Sequence, residues 1–254
     1  MKIHTLGTCA GTEPMPTRQH ASCVFEVNGR FYWFDAGSGC ARTAALNGIP
    51  LTKIDTVFIS HRHRDHVAGL PDLLWNIRKT VCMTDSPTPE KIDLYIPEML
   101  VWKCVSAMLE LEWSPRIALE PHIYGDGTVF ENADVRIEAR HNFHLEGPEA
   151  ETHTSYSFRI TSEGKHFVYS GDVRKYTDMG DWLDDCDLLM METGHHKASE
   201  VCAGLRADGL GVKKIMFVHS GREILNDYAG AKARAEAAWG EPVIIAEDGN
   251  SYEF

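Results

Sequence analysis

The stretch His61-Arg62-His63-Arg64-Asp65-His66 sets three imidazoles and a carboxylate within six residues. The segment before it, Ile54-Asp55-Thr56-Val57-Phe58-Ile59-Ser60, is apolar and β-branched and reads as a buried strand. A strand has period two, so a chain that stays extended past Ser60 sends His61 and His63 to one side. The segment from Val67 to Trp75 reads as the start of a helix, which leaves Asp65 and His66 at a strand-to-helix turn. Two imidazoles for one ion, and a carboxylate plus an imidazole for a second, suit zinc. A lone Asp before a helix is usually a cap. Four such groups directly after a buried strand are not explained by capping alone.

The chain has 254 residues, enough to bury a substantial core, and it is read as one domain over 1–254. Apolar content of 43% and charged content of 24% are those of an ordinary soluble globular chain. No apolar run reaches membrane-spanning length, and Met1-Lys2-Ile3-His4-Thr5-Leu6-Gly7 lacks the apolar stretch of a signal peptide. Seven cysteines without a Cys-x-x-Cys pair suit reduced thiols and a cytoplasmic location. The net charge of −12 argues against a broad nucleic-acid surface, although one locally positive pocket is compatible with it.

Outward from the histidines, Val24–Val27 and Arg30–Phe34 flank Asn28-Gly29, a hairpin signal, and deliver Asp35-Ala36-Gly37. A short helix over 40–48 and a strand over 91–96 follow. Residues 98–113 have helical apolar spacing, including Met99, Trp102, Cys104, Met108 and Trp113. Such a stripe either packs a core or roofs an active site. Residues 114–133 read as less regular. Strands are expected at 134–139, 155–161, 165–170, 186–191, 214–218 and 242–246, with helices over 197–209 and 229–239. Two sheets covered by helices on their outer faces satisfy this order.

Polar groups gather where the later strands end: His141 and His144, then Ser170-Gly171-Asp172, then His219-Ser220-Gly221-Arg222. Strand ends project towards a common sheet edge, so these groups can converge with the first cluster. With Phe34-Asp35-Ala36-Gly37 and the His-x-His-x-Asp-His element, they resemble the metallo-β-lactamase superfamily, and within it the tRNase Z-like branch. The similarity runs from Leu6-Gly7-Thr8 and Pro16-Thr17-Arg18 to Phe217-Val218-His219.

The resemblance implies a four-layer αββα sandwich with a dinuclear site. One ion would take His61, His63 and a third His; the other would take Asp65, His66 and His219. Asp172 would bridge them, with Asp35 as a supporting group and Asp65 also counted among the catalytic residues. Counting from Ala139, the family pattern gives His144 as the third histidine, with His141 and His153 as alternatives. Two divalent ions, two aspartates and a bridging hydroxide leave the site near +1, which attracts an anionic phosphodiester. Zinc is the expected metal, with Mn2+ or Fe2+ as alternatives. In this branch a Glu-x-Thr element and a later His assist catalysis; Glu192 and His195 match them. Arg174 and Arg222 follow two ligands and are candidates for holding phosphate.

Three features depart from tRNase Z. Glu223 stands where an aromatic residue usually follows the Arg, residues 171–200 leave no room for a tRNA-binding arm, and the chain supplies no basic stripe. A small cyclic or oligonucleotide diester is therefore as good a candidate as an RNA 3′ end. The competing functions are hydrolysis of a carboxylic ester, lactone or thioester, a di-iron redox role, and non-catalytic binding. The branch resembled is often dimeric, so a homodimer is an expectation.

Overall fold

Asn28 and Gly29 have φ of 50° and 77°, the two left-handed positions that a type I′ turn requires. They join β2 (Ser22–Val27) to β3 (Arg30–Phe34), and β1 (Lys2–Gly7) pairs antiparallel with β2. The computed structural model describes residues 1–84, 89–109 and 117–254.

After α1 (Cys40–Leu46) comes β4 (Ile54–Phe58), parallel to β3. Two helices follow, α2 (Arg64–Val67) and α3 (Leu70–Met83), then β5 (Lys91–Ile96), α4 (Met99–Leu109) and β6 (Ala118–Ile123). Helix α3 buries Leu70, Leu73, Leu74, Ile77 and Val81, one stripe at helical spacing. Each of these side chains contributes roughly 1.5–3 kcal/mol by leaving water. They share a core with Leu6, Val24 and Trp33 of the sheet.

The later half opens with β7 (Gly127–Glu131), β8 (Arg136–His141), β9 (Tyr156–Ser162) and β10 (Lys165–Tyr169), an antiparallel meander. Glu163 and Gly164, at φ 51° and 72°, turn β9 into β10 as Asn28-Gly29 turns the first hairpin. Parallel strands extend the sheet: β11 (Leu188–Thr193), β12 (Ile215–Ser220) and β13 (Ile244–Ile245). The connections hold a 3-10 segment (Tyr176–Leu183) and the helices α5 (Ala198–Ala207), α6 (Arg222–Asn226) and α7 (Tyr228–Trp239). A final strand, β14 (Ser251–Glu253), pairs with β1.

Two seven-stranded sheets result, β14-β1-β2-β3-β4-β5-β6 and β13-β12-β11-β10-β9-β8-β7. Each belongs to its own compact unit. The first unit comprises Met1–Thr8, Pro14–Tyr124 and Glu247–Phe254; the second comprises Cys9–Glu13 and Gly125–Ala246. Among the described residues no helix is long and apolar enough to cross a membrane.

Several expectations shift. Residues expected to be irregular contain β6 and β7. Both are edge strands, where Pro121 is tolerated in β6 because one side needs no ladder partner. Their exposure removes the apolar alternation that marks interior strands. The strand expected at 242–246 is paired only over Ile244–Ile245, and β14 follows it. Helix α4 fills 99–109 of the expected 98–113; residues 110–113, with Trp113, lie outside the described residues.

Candidate metal centre

In the first unit, parallel pairing of β3 and β4 sets Phe34 beside Phe58, so the chain segments leaving both strands run together. Asp35 leaves β3 in the left-handed region at φ 53°, a sparsely populated conformation for a side-chain-bearing residue. Its backbone N–H donates to Phe58 O at 2.8 Å. Its fully buried carboxylate accepts from Ser60 N at 2.7 Å, from Ser60 Oγ at 2.8 Å and from His66 Nδ1 at 2.7 Å.

That network assigns tautomers. A carboxylate only accepts, so His66 carries its proton on Nδ1 and the lone pair on Nε2. Ser60 spends its O–H on Asp35, so its oxygen, 3.0 Å from His61 Nδ1, accepts the proton there. His61 therefore also presents its lone pair through Nε2. Carboxylate or hydroxyl support of this kind orients metal-binding histidines and raises their basicity. The His61 ring lies 4.7 Å from that of His63 and 4.2 Å from that of His66. Asp65 Oδ2 lies 3.6 Å from His66 Nε2, and the Asp65 side chain is 13% exposed.

Asp65 and His66 sit inside the short helix α2 rather than at a turn ahead of the helix. Ala36 N donates to His66 O at 2.7 Å, and Gly69 N to Ala36 O at 2.8 Å, clamping α2 against Asp35-Ala36-Gly37. A Cβ on Gly69 would collide with the Gly37 carbonyl oxygen, and one on Gly37 with that of Asp65.

The second unit carries the other candidates. Asp172 is 2% exposed. Its Oδ1 lies 3.3 Å from His219 Nδ1, and its Oδ2 lies 3.7 Å from His144 Nε2 and 3.8 Å from His195 Nδ1. Ligand-type atoms of Asp172, Glu192, His195 and His219 all fall within 4.8 Å of one another. His219 is in the left-handed region at φ 49°, and a Cβ on Gly194 would stand 2.6 Å from its Nδ1. Two buried carboxylates ringed by imidazoles are a donor set suited to a divalent cation.

Glu192, 1% exposed, accepts from His195 N at 3.0 Å, and its Oε1 lies 3.0 Å from His195 Nδ1. Burial pushes this carboxyl up, but the bond to His195 and the His219 imidazole 3.6 Å away outweigh it and hold it well below the usual carboxylate range. The Glu192 bond raises the His195 imidazole above its ordinary value, against the pull of burial. His196, which the sequence did not single out, also faces Glu192 Oε1 at 3.3 Å and bonds Val173 O at 3.0 Å.

Among the three candidate third histidines, His144 is the one beside Asp172. Asn142 Oδ1 accepts from His144 N at 3.2 Å, and Asn142 Nδ2 bonds Ser157 Oγ at 3.2 Å, which pins this turn to β9. His141 turns to Asp126 through Nδ1 at 2.7 Å and stacks on His153 at 4.2 Å. Arg222 is exposed and ion-paired with Glu13. Arg174 is also exposed, with its backbone N–H bonded to Asp178 at 3.1 Å.

Residues 30–220, which enclose both groups of candidates from Asp35 to His219, match the family described as Beta-lactamase superfamily domain. The chain belongs to the metallo-β-lactamase superfamily. Within that superfamily it is 30% identical over 141 residues to ribonuclease Z of Methanothermobacter thermautotrophicus, covering 54% of this chain and 42% of the relative. It is 27% identical over 177 residues to ribonuclease Z of Shouchella clausii, covering 69% and 53%. The chain thus spans about half the length of these relatives. In fold it is similar to human tRNase Z, short form, with a TM-score of 0.76 at 21% identity, covering 100% of this chain and 99% of that one. The two seven-stranded sheets with flanking helices are those of the metallo-β-lactamase fold.

Proposed function

We propose that this superfamily member is a metal-dependent hydrolase that cleaves a phosphodiester, either a small cyclic or oligonucleotide diester or an RNA 3′ end. The observation that carries the reading is the Asp35–Ser60 network, which turns the Nε2 lone pairs of His61 and His66 outward from a fully buried carboxylate. Holding two buried imidazoles in one tautomer is what binding a cation requires. The ribonuclease Z relatives support the substrate class.

The superfamily pattern would assign His61, His63 and His144 to one ion, and Asp65, His66 and His219 to the second. The same pattern would give Asp172 to both. The donors fit zinc, and Mn2+ or Fe2+ would also accept this set. Two such ions, when bound, would lower the pKa of water and neutralise charge on a phosphoryl group.

The remaining work belongs to side chains. Asp35 keeps His66 in its tautomer directly and His61 through Ser60. Glu192 holds the His195 ring and favours its protonated form, which is the form that donates a proton to a leaving oxygen. The His195 side chain is 47% exposed, so it can meet a substrate, while Glu192 cannot. Arg174, which is exposed, is a candidate for contacting a phosphate, and Arg222 would first have to release Glu13. From the ribonuclease Z-like branch come two further readings, a homodimer and a cytoplasmic setting.

Turnover of bis(p-nitrophenyl) phosphate against p-nitrophenyl acetate tests the proposal. Metal-dependent diester cleavage supports it. Ester cleavage alone replaces it with a carboxylic-ester or lactone hydrolase.

A further inference from the structure

Helix α4 is apolar on more of its circumference than its core requires. Val101, Val105 and Leu109, spaced by four, are buried in the core of the first unit, with Trp102 packed partly against it. Leu100, Cys104 and Met108 form a second stripe at the same spacing, one residue round the helix. Leu100 is 50% exposed, Met108 is 69% exposed and Cys104 is exposed. This second stripe opens onto a groove of about 430 Å³, walled by Leu100, Val101 and Met108 of α4, by Val67 of α2, and by Arg62 and Arg64. Isolated exposed apolar side chains are normal, but a stripe lining a concave space marks a binding surface.

The charge on this groove runs against the chain as a whole, which carries −12. Arg62 pairs with Glu98 at 2.8 Å, joining the histidine-rich loop to the segment that enters α4. Arg64 is exposed and makes no ion pair among the described residues. One uncommitted guanidinium on an otherwise apolar groove selects an anion whose remaining bulk is apolar, and a planar fork suits phosphate or carboxylate oxygens. Arg62 and Arg64 also alternate along the backbone with His61, His63 and Asp65.

We propose that this groove binds the apolar substituent of a small anionic phosphoester, with its phosphate against Arg64 and its aryl or short alkyl group between α2 and α4. The volume lies near the low end of ligand-sized pockets, roughly 300–1,000 Å³, and fits one such substituent rather than a folded RNA. The proposal names the substrate class of the phosphodiesterase reading and rests on that reading for the fate of the bound ester. Binding itself does not depend on it.

Cys104 lines the groove and reports on it, while exposed Cys82, which does not line it, serves as an internal control. The experiment follows alkylation of both thiols by peptide mass spectrometry, using the full chain as purified. The probes are diphenyl phosphate, dimethyl phosphate and neutral diphenyl ether. Diphenyl phosphate at ten times its Kd should slow Cys104 about tenfold, since only the unbound fraction reacts, and leave Cys82 unchanged. Dimethyl phosphate and diphenyl ether should protect far less. Met108→Asp, at an exposed position that folding tolerates, should abolish protection, and Arg64→Gln should bring diphenyl phosphate down to the level of the ether. An unprotected Cys104, or equal protection by the neutral ether, overturns the proposal. Because protection is read without turnover, loss of the diesterase reading and loss of the groove reading are separate results.

Discussion

Asp35 Oδ2 and His66 Nδ1 meet at 2.7 Å, and neither side chain is exposed. The carboxylate also holds Ser60, and through its hydroxyl His61, so one buried residue sets the orientation of two histidines. Asp35→Asn presents an amide in place of one accepting oxygen and disturbs both tautomers. Zinc affinity should fall about 10–100-fold, the usual effect of removing such a support. Competition against a chromophoric chelator reads this; an unchanged affinity contradicts the role given to Asp35.

His195 is held through both its backbone N–H and its ring by Glu192. A group that protonates the leaving oxygen matters most when that oxygen is basic. His195→Ala should therefore retain metal but slow diesters with alkoxide leaving groups about 10²–10⁴-fold, and nitrophenyl diesters much less. Equal slowing of both would assign His195 a positioning role instead.

Gly69 has no positive φ, so its need for glycine is purely steric: a Cβ there meets the Gly37 carbonyl. Gly69→Ala should destabilise the chain by about 1–3 kcal/mol through forced backbone shifts. Gly147→Ala is the control, since a Cβ there meets nothing within 4 Å. Urea unfolding midpoints check the pair. Similar midpoints for the two variants would show that the clamp on α2 yields easily.

Asp187 accepts from His166 N at 2.8 Å and from Lys213 Nζ at 2.9 Å. Burial pushes its carboxyl up, but these two partners outweigh it and hold it below the usual carboxylate range. The folded value is depressed, so the stabilisation is present above the unfolded value of about 3.9 and is lost as pH falls through the folded one. Asp187→Asn should be less stable than the parent at about pH 7, with the gap closing below about pH 4. Measurement in chelator at every pH removes any contribution from bound metal. A gap independent of pH would assign the loss to packing.

The sheets were legible in the sequence where interior strands bury apolar residues and where Asn28-Gly29 favours the type I′ hairpin turn. They were not legible at β6, β7 and β14, which are edge strands and carry polar or exposed residues. The histidine-rich stretch announced its chemistry because four potential ligands stood in six positions. Ser60 gave no such signal: its hydroxyl matters only because Asp35, from a different strand, arrives beside it. His144 and His141 are equivalent in sequence. Asn142, which caps the turn between them, and Asp126, which draws His141 away, separate them only once β7, β8 and β9 are paired.

The most direct measurement is metal content by plasma mass spectrometry on the purified chain and on Asp172→Ala. The dinuclear reading predicts about two zinc ions per chain in the parent and loss of both in the variant, because the shared carboxylate holds each ion. Full metal content in Asp172→Ala, or a parent that takes up no metal, contradicts it.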